Sequence, residues 1–124
     1  MDLAGKNLIL RKFSGVAEQI QQLCEWRNTE NYRNLCSTRR NIVTLSEFEK
    51  ELRIDFNNDR HVQFILYLKA TLRPIGTIFS YNMNEDDGYT FITIFLDPEF
   101  ENQGLVPEAF KIFAMYLFLA IQPS

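Results

Sequence analysis

The sequence predicts an α+β (α/β) fold with the element order β-α-α-β-β-β-α around a mainly antiparallel, mixed sheet. Three observations carry it. Residues 61–96 hold three apolar-rich segments separated by short polar turns, which is the pattern of a meander. Residues 16–27 and 45–56 space their apolar side chains at helical intervals. Residues 106–120 form a segment with hardly a polar side chain, opened by a proline in its first turn.

Each element follows from its residues. Asn7-Leu8-Ile9-Leu10-Arg11-Lys12-Phe13 reads as a first strand, with Leu8, Leu10 and Lys12 on one face and Ile9 and Phe13 on the other. Ser14-Gly15 ends it, and Ser14 is placed to cap a helix over 16–27 whose inner face is Val16, Ile20, Leu23 and Cys24. Residues 28–43 are polar and basic and read as a loop with room for one short turn. Thr44-Leu45-Ser46-Glu47 has the form of a capping box, and Ser46 to Glu49 offers a second, overlapping one. A helix over 45–56 follows, with Leu45, Phe48, Leu52 and Phe56 on one face.

His61 to Lys69 alternates, with Val62, Phe64, Leu66 and Leu68 facing inward and Gln63, Ile65, Tyr67 and Lys69 outward. Ile75–Asn82 and Tyr89–Leu96 are the next two strands, with Asn84-Glu85-Asp86-Asp87-Gly88 turning between them. Asp97-Pro98 stops the last strand, and Glu99–Leu105 reads as a loop before the final helix. From Ala109 to Ile121 only Lys111 and Tyr116 are polar, so something must cover both sides of that helix.

Composition limits the function classes. At 124 residues and 46% hydrophobic the chain is expected to be one domain with its own core. The longest apolar run, Ile112 to Ile121, is ten residues, against the roughly 20 of a membrane span. The first residues lack a basic segment leading into an apolar one, so no signal peptide and a cytoplasmic location are expected. Net charge is −3, and residues 61–124 hold three Lys/Arg against seven Asp/Glu, which disfavours nucleic acid as a partner. Cys24 and Cys36 are expected as free thiols, and one histidine, His61, with two separated cysteines has no metal-ligand spacing. Glu85, Asp86 and Asp87 are candidate acid/base groups by charge alone; a solvated turn is the expected reading of them.

The residues nonetheless resemble a family. Leu8-Ile9-Leu10-Arg11, Trp26-Arg27-Asn28, Pro74-Ile75-Gly76-Thr77-Ile78 and Phe95-Leu96-Asp97-Pro98-Glu99-Phe100, followed by Gly104 and Glu108-Ala109, occur in the order of the GNAT N-acyltransferase family. The likeness is to its branch that acetylates the N-termini of ribosomal proteins. It spans essentially the whole chain and covers the first two-thirds of that fold, up to the crossover helix. The C-terminal strands and helix that follow in the family have no counterpart here.

What the resemblance implies is acetyl-CoA as cofactor, an amine as acceptor, and a binding segment of Leu96, Asn102, Gln103, Gly104, Leu105 and Val106. Backbone amides at a helix N-terminus would hold the diphosphate there. The loop departs from the family pattern at Glu101, where Gln or Arg is usual, and at Val106, where Gly or Ala is usual. Asp97, Glu99, Glu101 and Glu108 surround it without a cation, and Arg33, Arg39 and Arg40 are the basic residues that could compensate. No catalytic residue can be matched. Three readings stay open: a truncated acyltransferase, a half-domain completed by a second copy, and a non-catalytic binding or assembly module. The apolar last helix makes a homodimer the expectation in any of them.

Overall fold

The computed structural model describes residues 2–34, 41–56, 61–84 and 89–121. The elements are β1 (Asp2–Ala4), β2 (Leu8–Lys12), α1 (Ala17–Arg27), α2 (Glu30–Arg33), α3 (Leu45–Phe56), β3 (Val62–Leu68), β4 (Pro74–Asn84), β5 (Tyr89–Leu96), a single 3₁₀ turn (Pro98–Phe100) and α4 (Leu105–Ile121). One five-stranded sheet has the order β1-β2-β3-β4-β5. β1 and β2 pair antiparallel, as do β2 and β3, with Leu10 opposite Leu66 and Leu8 opposite Leu68. The connections 69–73 and 85–88 are too short for a crossover, so β3, β4 and β5 also alternate in direction.

The chain forms two compact units, Met1–Lys12 with Gln63–Phe79 and Ile92–Ser124, and Phe13–Val62 with Ser80–Phe91. In the first, α4 packs on the sheet. Directly opposed residues of an antiparallel pair share a face, so Leu8 and Leu10 stand beside Leu68 and Leu66. Phe64 meets Phe113 and Tyr116 of α4 edge-on, with ring centroids 5.9 Å and 5.1 Å apart. Ala109, Phe113 and Leu117 are the buried stripe of that helix. Glu108, one turn into α4, accepts from the backbone N–H groups of Asn7 (3.0 Å) and Leu8 (2.9 Å) and from the Asn7 side chain (2.9 Å), fastening the helix to the start of β2.

The outward face expected for β3 is not outward at its centre. Gln63 and Ile65 are as buried as Phe64 and Leu66. A strand covered on both faces loses its alternation. Gln63 is accommodated because its amide donates to Thr77 Oγ1 (3.0 Å), which in turn donates to the Phe64 carbonyl (2.8 Å).

In the second unit, α1 and α3 pack through Leu23, Cys24 and Trp26, and through Phe48 and Leu52. Arg27, nearly fully buried, holds the Glu51 carboxylate through two nitrogens (3.1 and 3.0 Å) and donates to the Asn41 carbonyl (2.9 Å). Asn28 exchanges hydrogen bonds with the backbone of Val43, both 2.9 Å. The Trp-Arg-Asn segment therefore clamps the chain entering α3.

Several expectations need adjustment. β1 is a strand that three residues could not announce. The loop 28–43 contains α2, capped by the Thr29 hydroxyl accepting from the Tyr32 N–H (3.3 Å). Ser14 is not a cap: the cap position is Val16, and Gln19 reaches back to accept from the Ser14 N–H (2.9 Å) and hydroxyl (3.1 Å). Of the two overlapping capping boxes the first forms, with Thr44 and Glu47 each taking the other's backbone N–H (3.2 and 3.0 Å). Leu45 is exposed because it is the first residue of α3, ahead of the buried stripe. The acidic residues of 85–88, with Cys36, Arg39 and Arg40, lie outside the described residues.

Candidate functional site at the end of β5 and the start of α4

β5 is the last strand of the sheet, so one of its edges has no neighbour among the described residues. Its closing residues Phe95 and Leu96 are buried, and Asp97 N–H donates to the Ile75 carbonyl (2.8 Å), holding the strand's end against β4. At Gly76 a Cβ would run into the Phe95 carbonyl oxygen and press on Leu96 Cα. Only glycine permits that approach. The Pro-Ile-Gly segment thus sets the position of Leu96.

After β5 the chain makes the 3₁₀ turn Pro98–Phe100, capped by Asp97, whose carboxylate accepts from the Glu99 N–H (3.1 Å). Phe100 is buried and anchors the turn. Asn102 and Gly104 then take positive φ of 63° and 74°, and α4 begins at Leu105. A Cβ on Gly104 would meet nothing, so the space over this backbone is open.

The start of α4 differs in chemistry from the starts of α2 and α3. There, Thr29 and the Thr44–Glu47 pair take up the free N–H groups. Here no acceptor among the described residues takes the N–H groups of Gly104, Leu105 or Val106. Pro107 contributes none. The carboxylate of this first turn, Glu108, is occupied by Asn7 and Leu8. Amides without partners at the positive end of a helix dipole suit an anion.

The structure brings the sequence-predicted residues Leu96, Asn102, Gln103, Gly104, Leu105 and Val106 into this one segment, but not all in one way. Asn102, Gln103, Gly104 and Val106 are exposed, and Leu96 and Leu105 are buried beneath them as its apolar support.

The electrostatics are milder than the sequence predicts. Of the four surrounding acids, Asp97 caps the turn, Glu108 is triply hydrogen-bonded, and Glu99 pairs with Arg73 at 2.9 Å. Glu101 alone has no partner among the described residues. Arg73, at the start of β4, is the cation that sequence reasoning missed. It is 24 residues before the loop's first acid, and only the β4–β5 pairing brings it near.

No His, Cys, Asp and Glu cluster among the described residues could hold a metal ion. Burial raises the Cys24 thiol above its ordinary value, with nearby Arg27 opposing, so it stands as a protonated thiol in the packed core and not as a nucleophile. No helix among the described residues is long and apolar enough to cross a membrane.

Comparison with known proteins places the chain in a family and a fold. The family model described as an acetyltransferase (GNAT) domain matches residues 7–123. No curated protein matches the chain. Among solved structures, a GNAT-family acetyltransferase from Bacillus anthracis is similar at a TM-score of 0.69 and 17% identity, over 95% of this chain and 66% of its own. RimL, a ribosomal L7/L12 alpha-N-protein acetyltransferase solved in complex with Coenzyme A, is similar at 0.69 and 10%, over 94% and 67%. A spermidine N-acetyltransferase SpeG chimera from Vibrio cholerae and hSSAT is similar at 0.71 and 15%, over 91% and 64%. The chain spans about two thirds of the length of these proteins, and at such identities the likeness is one of fold.

Proposed function

The chain belongs to the GNAT acetyltransferase family, and from that premise we propose that it binds acetyl-CoA at the end of β5 and the start of α4 and passes the acetyl group to an amine. The observation that carries the reading is the open backbone from Gly104 to Val106, at the N-terminus of a 17-residue helix. When bound, acetyl-CoA would supply an activated acyl group: the amine nitrogen would bond to the carbonyl carbon as the C–S bond breaks, and the sulfur would leave as the thiol once it takes up the proton the amine gives up.

The chain's own residues bind and orient. The N–H groups of Gly104, Leu105 and Val106 would hold the diphosphate, and the positive φ at Gly104 shapes the backbone that carries them. The free edge of β5 offers backbone donors and acceptors to the amides of the pantetheine arm, with Leu96 as its apolar floor. Asn102 and Gln103 are exposed amide side chains at the rim. No described side chain is assigned as the base that receives the amine's proton. An amine acceptor fits the names of the solved relatives, which act on a protein N-terminus and on spermidine. A cytoplasmic setting fits a buried free thiol at Cys24.

Thermal-shift titration tests this. Acetyl-CoA should raise the melting midpoint progressively, because a ligand that binds only the folded state stabilises it. No shift at millimolar acetyl-CoA refutes the reading.

A second reading has its own observation. Val106, Phe110, Met115, Phe118 and Leu119 of α4 are each 41% exposed or more, with half-buried Glu108 and exposed Lys111 the charges among them. An apolar helix face of this kind serves assembly. On this reading the chain is a homodimer, and the GNAT-like domain can act as a binding module without catalysis.

A further inference from the structure

The proposed site contains a difficulty that points to an unassigned residue. Coenzyme A carries several negative charges on its phosphates, and the segment 97–106 carries no lysine or arginine. Three of its neighbouring acids are occupied, but Glu101 is not, so backbone amides alone must face both the ligand and a carboxylate. A cation in contact with this segment is needed.

The described residues place one there. The Arg73 guanidinium carbon sits over the Phe100 ring, 5.0 Å from its centroid, and its Nη2 meets Glu99 Oε2 at 2.9 Å. A cation–π contact with a buried ring holds the guanidinium there without using its donors. Of its five N–H groups the ion pair takes one. Both partners are more than half exposed, at 53% and 61%, so the pair is worth little and is easily exchanged. The turn that presents Arg73 is fixed: its carbonyl accepts from Leu68 N–H (2.9 Å), its N–H donates to Thr71 Oγ1 (3.4 Å), and Leu72 before it holds a φ of 57°, costly for a leucine.

We propose that Arg73 is a phosphate-binding residue for coenzyme A, and that Glu99 is its internal stand-in for the phosphate. A carboxylate and a phosphate offer the fork of a guanidinium the same paired oxygens. In the free protein Glu99 holds Arg73 in place beside the loop. On binding, a phosphate oxygen takes over the donors and Glu99 turns to solvent. The inference rests on the acetyl-CoA reading above and deepens it.

Calorimetric titration with CoA of the full chain and the variants Arg73→Gln, Arg73→Lys and Glu99→Gln tests it. Arg73→Gln is expected to weaken CoA binding about five- to tenfold, the loss of a charge-assisted hydrogen bond, and to make the affinity fall less steeply with salt. Arg73→Lys recovers part of the affinity. Glu99→Gln tightens binding a few-fold, and does nothing in the Arg73→Gln background. Dephospho-CoA says which phosphate is held: the penalty of Arg73→Gln persists if it is the diphosphate and vanishes if it is the 3′-phosphate. Equal affinity and equal salt slope for wild type and Arg73→Gln overturn the proposal while leaving the acetyl-CoA reading intact. Failure of the wild type to bind CoA at all refutes that reading itself, and this one with it.

Discussion

Single residues decide several local outcomes, and two of them predict measurable losses. Gly76 is fixed by a backbone atom, the Phe95 carbonyl, which cannot rotate away. Gly76→Ala should cost about 3 kcal/mol or more in chemical denaturation, because strands β4 and β5 must part to admit one methyl group. Arg27 is a buried cation satisfied by Glu51 and the Asn41 carbonyl. Arg27→Ala leaves a partly buried carboxylate and an orphaned carbonyl, and should cost about 3 kcal/mol in the same measurement. Both residues stand in motifs visible in the sequence, but only the pairing of strands and helices shows why glycine and arginine are required there. Gln63 shows the limit from the other side. Its type and its place in an alternating strand both read as outward-facing, and it is buried because Thr77, 14 residues on, satisfies it.

At the scale of elements, helix starts divide into closed and open ones, and the one closed by Thr44 and Glu47 titrates. Thr44's backbone N–H holds the Glu47 carboxyl below the ordinary carboxylate value, with the Thr44 hydroxyl adding to this. A carboxyl whose folded-state value is depressed stabilises the fold above its unfolded value, and that contribution is lost as pH falls through the folded one. The stability gap between wild type and Glu47→Gln should therefore be largest near neutrality and shrink between about pH 5 and pH 3 in pH-dependent urea melts. Glu108 closes a different gap, that between α4 and β2, with three hydrogen bonds. Glu108→Ala should lower stability by about 1–3 kcal/mol in denaturant titration, since two backbone N–H groups lose their acceptor.

Element type was legible wherever periodicity ran long. α3 begins and ends where its capping box and apolar spacing place it, and β5 spans the predicted residues. β1 and α2 were not legible, because three and four residues carry no period. The candidate site was legible in sequence from Leu96 to Val106, which is local. Arg73 was not, because its place beside Glu99 depends on which strand lies next to which.

For the whole molecule, the exposed face of α4 and the open edge of β5 bear on assembly and activity separately. If the apolar face of α4 joins two copies, the double variant Phe110→Asp and Phe118→Asp should shift sedimentation toward the monomer without unfolding the chain, as both side chains are about half exposed. A monomer in wild-type sedimentation refutes the homodimer. The acetyl-CoA reading stands or falls on a different surface, and one measurement addresses it most directly: amide NMR spectra of the chain titrated with acetyl-CoA. Saturable shifts centred on the N–H groups of Gly104, Leu105 and Val106 and extending to the edge of β5 are expected. Spectra unchanged at millimolar acetyl-CoA, or shifts that leave those three amides unmoved, would contradict the acetyl-CoA reading.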